Sequence, residues 1–194
     1  MINKIILASK SGVRKKILEE NSIECMVMPS NVDENAVKES LLKSNASPEI
    51  ISKNLAELKA NKISIKKPED LVLGADSVID LKGELISKPT SREEAISILK
   101  KLNGQKHQLI SSVCLSKNGS MIWNFTDKSN LTMKQLNLDE IKSYLTNIKD
   151  EELYAYGVYQ IEANGRALFS EIEGDENTIM GLPIKQIKEY LKNL

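Results

Sequence analysis

Apolar residues recur along this chain with two periods that alternate from segment to segment. Ile5-Ile6-Leu7 forms a short strand-like run beginning at Lys4, and Val13, Ile17 and Leu18 then fall on one face of a helix predicted over residues 11–21. A second strand is expected over 24–28. Ser47 followed by Pro48 starts a helix, with an N-cap and a proline at the first helical position, and Ile51, Leu55 and Leu58 supply its i, i+4, i+7 stripe. The stretch LVLGADSVIDL (71–81) is almost continuously apolar and rich in β-branched residues, the pattern of a buried strand. Ser91 and Glu94 make a capping box for a helix carrying Ala95, Ile98, Leu99 and Leu102. Asn118-Gly119 separates two strand-like runs, a strong hairpin signal, and Asn164-Gly165 suggests a second hairpin. Residues 137–144 read as helical, and Pro183 starts a last helix on Ile184, Ile187 and Leu191. Crossover helices early and hairpins late predict an α/β fold with a mixed sheet.

Composition narrows the picture. Hydrophobic residues make up 41% of 194 positions, enough for a packed core, and the length suits one domain, residues 1–194, with two lobes at most. Lys+Arg and Asp+Glu balance at 27 each. That balance argues against a nucleic-acid binder relying on a broad basic field but leaves room for a local cationic pocket. Apolar runs such as Leu71-Val72-Leu73 are too short to span a membrane, and the opening strand is too short for a signal peptide. The expectation is a cytoplasmic protein with no nucleic-acid or membrane partner. Cys25 and Cys114 are far apart, lack CxxC spacing and read as reduced thiols. His107 is the single histidine, so neither a zinc site nor a histidine-based triad is well supplied; burial with a satisfied partner is its expected state. Trp123 and Tyr156 are expected to pack rather than to stack on bases.

Several residues then stand out for their chemistry. LASKSGVRKK (7–16) runs a strand into two serines, a glycine and a cluster of positive charge, which reads either as a phosphate site or as a loop and a solvated helix face. Asp76, in GADS (74–77), interrupts an apolar strand. A buried carboxylate needs a partner, a metal or a raised pKa; otherwise Asp76 accepts backbone hydrogen bonds at a bulge marked by Gly74. Lys88, in SKPTS, lies in a loop between the hairpin-like LKGEL and a capped helix. Lys59 follows the helix stripe by one residue, at its edge, where snorkelling lysines are common. Asp33 and Glu34 are adjacent carboxylates, usual in loops and able to ligate Mg²⁺. Neither GxxxxGK[ST] nor GxGxxG is present, so a P-loop and a dinucleotide fold have no support. Hydroxyls, three cations (Arg14, Lys59, Lys88) and two carboxylates (Glu34, Asp76) are the parts needed to attack a polyphosphate.

In order along the chain, LASKSGVRKKIL, VDE (32–34), LAELKA (55–60), GADS, SKPTSREEA, LNGQKHQLISSV and EIEGDENTIMGLPIKQI resemble the motifs of the Maf-like nucleoside triphosphate pyrophosphatases, from about residue 4 to 192. The resemblance implies an α/β fold with a central elongated mixed sheet and a cleft between two lobes, commonly dimeric. It implies house-cleaning hydrolysis of nucleoside triphosphates to monophosphate and pyrophosphate, dependent on a divalent metal, Mg²⁺ or Mn²⁺. Asp76 would accept the proton of the attacking water, Lys59 and Lys88 would neutralise phosphate charge, and Glu34, with Asp76, would help hold the metal. Ser9, Ser11 and Arg14 would cradle the triphosphate at the helix start, where amide groups and the helix dipole favour anions. A nucleotide-binding regulator of cell division with little catalysis is the alternative.

Departures from the family pattern bear on base choice. Where members have SPRR, this chain has Ser11-Gly12-Val13-Arg14. The arginine absent at Val13 is linked to base choice in members acting on dTTP and UTP. Those members also carry threonine where this chain has Ser77, and glutamine where it has Glu162. Members acting on 7-methyl-GTP have glutamate at that last position. A Glu162 carboxylate can accept from the N1–H and exocyclic amine of guanine, whereas a uracil or thymine edge flanks its one N–H with repelling carbonyls. The expected preference runs away from dTTP and UTP, toward a guanine nucleotide, modified or not. The other reading of Glu162 is a solvent-facing residue on a hairpin.

Overall fold

The computed structural model describes residues 4–194. Its strands are β1 (Lys4–Leu7), β2 (Glu24–Val27), β3 (Val72–Leu81), β4 (Glu84–Ile86), β5 (Lys106–Lys117), β6 (Ser120–Met133) and β7 (Phe169–Glu173). Its α-helices are α1 (Gly12–Glu20), α2 (Glu34–Lys43), α3 (Pro48–Lys66), α4 (Arg92–Leu102), α5 (Leu138–Thr146), α6 (Asp150–Tyr156), α7 (Glu176–Ile179) and α8 (Ile184–Lys192). The strands form one mixed sheet in the order β2-β1-β3-β5-β6-β7, with β4 added to β3. β1 runs parallel to β2 and β3, and every other pairing is antiparallel.

Register creates the opening that matters for function. β1 pairs with β3 only at Val72 and Leu73, and β4 does not reach β3 until Ile79. Over residues 74–78, β3 therefore has β5 on one side and no strand on the other. Two hydrophobic clusters flank this gap. One packs α1 and α8 against β1, the start of β3 and β5 through Ile5, Leu18, Leu73, Leu115 and Ile187. The other packs α4, α5 and α6 against the far ends of β3, β5 and β6 through Leu99, Leu131, Ile141, Leu153 and Phe169. The gap between two separately packed halves is the cleft.

Helix α3 lies unusually close to β3. A Cβ on Gly74 would sit 2.1 Å from the Ala56 carbonyl oxygen and 2.7 Å from the Ala60 nitrogen, so only glycine there lets the helix approach, against two alanines one turn apart. Gly74 marks this contact and not a bulge: β3 pairs with β5 without interruption from Val72 to Asp80. The buried stripe of α3 is also rotated from the expected one. Leu58 is exposed, while Ile51, Leu55, Ala56, Lys59, Ala60 and Ile63 face inward. Lys59 is thus buried, not a snorkelling edge residue.

Other expectations hold or fail for identifiable reasons. Asn118-Gly119 turns the β5–β6 hairpin and Lys82-Gly83 turns β3 into β4, each with two consecutive positive φ angles as a primed turn requires. Asn164-Gly165 instead begins a 3₁₀ turn over Asn164–Leu168. Gly165 is pressed against Gln160, whose carbonyl accepts its N–H at 3.0 Å, and neither residue adopts positive φ. Ser91 caps α4 by accepting from the Glu94 amide, but Glu94 reaches back to Thr90. The Asp33–Glu34 pair is not simply a loop. Asp33 caps α2 through the Ala36 amide at 3.0 Å, and Glu34 occupies the first turn. Trp123 stacks on Tyr190 with ring centroids 4.9 Å apart, as packing predicts, whereas Tyr156 is exposed. Cys25 and Cys114 are free thiols. No helix among the described residues is long and apolar enough to cross a membrane.

His107 is buried at the start of β5, with Nε2 2.9 Å from the Tyr159 hydroxyl and both rings beside Phe169. Burial pushes its pKa down to about 4. The unfolded chain therefore takes up a proton near pH 6.5 that the folded chain refuses until about pH 4, and stability is lost as pH falls between those values. The loss should approach about 3 kcal/mol from this group alone. Urea unfolding of wild type and His107→Gln at several pH values should give a flatter stability–pH curve for the variant; parallel curves would show that His107 is not buried neutral.

Candidate functional site

A cleft of about 1110 Å³ opens along the unpaired stretch of β3. Asp76 lies on its floor, 5% exposed. Its Oδ1 accepts a hydrogen bond from Lys59 Nζ at 2.8 Å, and the same ammonium lies 2.8 Å from Glu34 Oε1. One cation from α3 is therefore clasped by a carboxylate from the sheet and another from α2. Asp76 Oδ2 has no hydrogen-bond partner among the described residues. A buried acceptor of this kind costs stability unless something else uses it. Burial would raise the Glu34 pKa, but the charge and hydrogen bond of Lys59, helped by Lys88 and Lys38, hold it below the usual glutamate range.

Lys88 comes from the loop between β4 and α4 and lines the same cleft. Its surface remains accessible from the cleft, yet the surrounding walls displace enough bulk water to lower its pKa, against the attraction of Glu34 and Asp76. The lowered pKa eases proton loss, although the ammonium remains the natural partner for an anion.

Arg14 stands on the opposite side of β3. Its Nε donates to the Gly181 carbonyl at 2.9 Å, Nη1 to Ser9 Oγ at 3.2 Å and to the Ala75 carbonyl at 3.1 Å, and Nη2 to Ser77 Oγ at 3.1 Å. Four of its five N–H groups are thus committed to the protein, tying the end of β1, β3 and the loop before α8 into one wall. Desolvation lowers its pKa, with Asp76 and Glu34 opposing, but a guanidinium stays charged. Ser9 Oγ also accepts from the Ser11 amide at 3.2 Å, and Ser11 Oγ caps α1 through the Arg14 amide. Ser9, Ser11, Val13, Arg14 and Ser77 all line the cleft, so the sequence motif and the strand that carries Asp76 meet in space. Glu162 lies in the irregular segment after α6, exposed at the cleft rim and not on a hairpin.

Some cleft residues have no counterpart in the sequence reading. Lys38 projects from α2 one turn beyond Glu34, Lys10 follows Ser9, and Tyr154 and Tyr159 line the wall that carries Glu162, beside Tyr156, which was expected to pack and instead lies exposed at the cleft. Lys38 needed α2 to be recognised, and α2 buries no residue fully, so no apolar stripe announces it.

Among the described residues, no three His, Cys, Asp or Glu side chains gather as a metal cluster. Two carboxylates, one with an unpartnered oxygen, nevertheless fit a hard divalent ion of the kind that takes only one or two protein ligands and completes its shell with phosphate oxygens and water. The groups in the cleft can therefore bind a polyphosphate, help hold such an ion, and accept a proton at Asp76.

A family model described as "Maf-like protein" matches residues 4–194. A "Nucleoside triphosphate pyrophosphatase" of Pelagibacter ubique is 70% identical over 192 residues, covering 99% of this chain and 98% of that protein. A "7-methyl-GTP pyrophosphatase" of Brucella abortus is 38% identical over 192 residues, covering 99% and 96% respectively. Among solved structures, a HAM1 protein from Coxiella burnetii aligns over 98% of this chain and 99% of its own at 12% identity, with a TM-score of 0.48.

Removing the shared cation should expose its electrostatic role. In Lys59→Met the Glu34 carboxyl loses the charge and the hydrogen bond that hold its pKa down, so its titration should move upward. Glu34 steadies the fold above its unfolded pKa and ceases to do so as pH falls through the depressed folded value; that dependence should shrink in the variant. Carboxyl ¹³C NMR titration measures the shift, and an unmoved Glu34 resonance would show that Lys59 does not hold it.

Proposed function

Since this chain belongs to the Maf-like family, we propose that it is a nucleoside triphosphate pyrophosphatase, hydrolysing the bond between the α- and β-phosphates to give a nucleoside monophosphate and pyrophosphate. The names of its relatives support the reaction class. The observation that carries the reading is the Asp76 carboxylate, with Oδ1 fixed by Lys59 and Oδ2 unpartnered among the described residues, on the floor of a cleft lined by further cations. Asp76 accepts the proton of a water whose oxygen forms the new bond to the α-phosphorus. The bond from that phosphorus to the bridging oxygen breaks, and the oxygen leaves with pyrophosphate. Lys59 and Lys88 offset the charge that grows on the phosphate oxygens. Ser9, Ser11 and the α1 N-terminus orient the triphosphate. Glu34 and Asp76 are the residues that would hold a divalent ion, Mg²⁺ or Mn²⁺, which when bound supplies charge neutralisation to the triphosphate.

Base choice rests on Glu162 at the rim. A carboxylate there favours guanine, whose edge offers adjacent N–H donors, and disfavours uracil and thymine. Relatives named for 7-methyl-GTP make that nucleotide a substrate to include. The retention of Asp76, Lys59 and Lys88 in one cleft favours an enzyme over a binding-only regulator. The homodimer carries over from the same family resemblance, and the cytoplasmic location from the short apolar runs and the two reduced cysteines of the sequence.

Pyrophosphate release measured with Mg²⁺ or Mn²⁺ across the standard ribo- and deoxyribonucleoside triphosphates and 7-methyl-GTP tests the reaction. Asp76→Asn should lower turnover by about 100-fold or more while nucleotide binding survives, and excess EDTA should abolish it. Near-normal turnover in the variant removes Asp76 from its role. Separately, Glu162→Gln should lower the kcat/KM ratio of guanine to uracil nucleotides by about tenfold; an unchanged ratio places Glu162 in solvent.

A further inference from the structure

Hydroxyl groups carry one proton each, and around Ser77 the protein has already assigned it. Ser111, fully buried on β5 and opposite Ser77 in the β3–β5 pairing, lies with Oγ 2.8 Å from the Thr178 carbonyl oxygen. A carbonyl can only accept, so Ser111 spends its proton there. Ser111 Oγ is also 2.9 Å from Ser77 Oγ. With Ser111's proton spent, Ser77 must be the donor in that contact. Ser77 in turn accepts from Arg14 Nη2 at 3.1 Å. What Ser77 has left for the cleft is one lone pair and no proton.

The surrounding groups hold this arrangement in place. The Thr178 carbonyl also accepts from the Gly181 amide at 2.9 Å, and Thr178 Oγ1 lies 2.9 Å from Asp127 Oδ2. Gly181 gives its own carbonyl to Arg14 Nε and has φ of +97°. A Cβ on Gly181 would stand 3.1 Å from Ser77 Oγ and 3.3 Å from Arg14 Nε, so glycine leaves open the space beside Ser77 that any side chain would crowd.

We infer that Ser111, which touches no cleft space itself, is a positioning residue that fixes the hydrogen-bond polarity of Ser77 and makes the cleft an acceptor at that point. A ligand group meeting Ser77 must then be a donor, an N–H or an O–H; a base carbonyl or a phosphate oxygen is refused. Ser77 and the Glu162 carboxylate present the same polarity from different walls of the cleft, and both favour a donor-rich base edge over uracil or thymine. This rests on the nucleotide reading above and adds a residue and a mechanism to it.

Ser111→Ala frees the Ser77 proton for the ligand. The kcat/KM ratio of GTP to UTP should fall by about tenfold, through better use of UTP as well as weaker use of GTP. Ser111→Thr, which keeps a donor, should restore the ratio. On a Ser77→Ala background, Ser111→Ala should leave the ratio unmoved, an outcome that a purely structural role for Ser111 does not produce. Calorimetry with α,β-methylene GTP and α,β-methylene UTP reads the same preference without hydrolysis. A ratio unchanged in Ser111→Ala, or one shifted equally on the Ser77→Ala background, overturns the inference, as does a uniform change for both nucleotides. If the wild-type protein releases no pyrophosphate but its analogue preference still falls in Ser111→Ala and not on the Ser77→Ala background, the enzyme reading fails and the polarity inference stands.

Discussion

The Lys59 ammonium, clasped between Asp76 and Glu34, is the interaction on which the cleft depends. The Asp76 carboxylate is buried, so losing Lys59 would strand its charge, whereas Glu34, more exposed, adds a second anchor for the same ammonium. The contact demands that α3 lie close enough to β3 for a lysine from the helix to reach a strand residue, and that α2 bring its first turn over both. Gly74, Ala56 and Ala60 meet the first demand by removing side-chain bulk where helix and strand touch. Asp33 meets the second by capping α2 so that Glu34 enters the helix already facing Lys59. The triad itself carries a net negative charge, which Lys10, Arg14, Lys38 and Lys88 along the same cleft outweigh, leaving the cleft suited to an anion.

The sheet's register supplies the space for that chemistry. Because β1 stops at Leu7 and β4 begins pairing only at Ile79, β3 runs for several residues with one edge uncovered. Alternation along the strand then sends Asp76 toward α3 and Ser77 toward Arg14, Ser111 and the Gly181 loop. Adjacent residues on one strand thus serve two faces, a carboxylate held by Lys59 on one and a hydroxyl held by Arg14 and Ser111 on the other. The separate hydrophobic clusters on either side keep the gap from collapsing, since each half is packed without filling it.

Much of this was legible in the sequence. The strand carrying Asp76, the helix start at Ser47-Pro48, the Asn118-Gly119 turn and the final helix follow from local patterns strong enough to survive folding. What escaped the sequence depended on contacts between distant segments. Lys59 reads as an edge residue until Gly74 is known to draw α3 onto the sheet, which turns Lys59 inward and Leu58 out. Helix α2 has a cap but no fully buried residue, so its periodicity is weak, and Lys38 was missed along with it. Asn164-Gly165 carries a hairpin signal that the tight packing of Gly165 on Gln160 overrides. Ser111 offers no local signal at all, because its role is set by hydroxyl counting across β3, β5 and α7.

Those long-range contacts also explain how the chain tolerates its departure from the family pattern at Gly12-Val13. Arg14 spends most of its donors on Ser9, Ala75, Ser77 and Gly181, and none of these bonds involves residue 12 or 13. A Cβ at Gly12 would meet nothing within 4 Å, so neither close packing nor an unusual φ requires glycine there. Val13 turns partly toward the cluster formed by α1 and α8 and partly toward the cleft. Replacing an arginine with valine therefore removes a charge from the cleft wall without loosening the clamp that shapes it. The change falls on what the wall presents to a ligand, and it leaves intact the geometry that holds Asp76 and Ser77 in place.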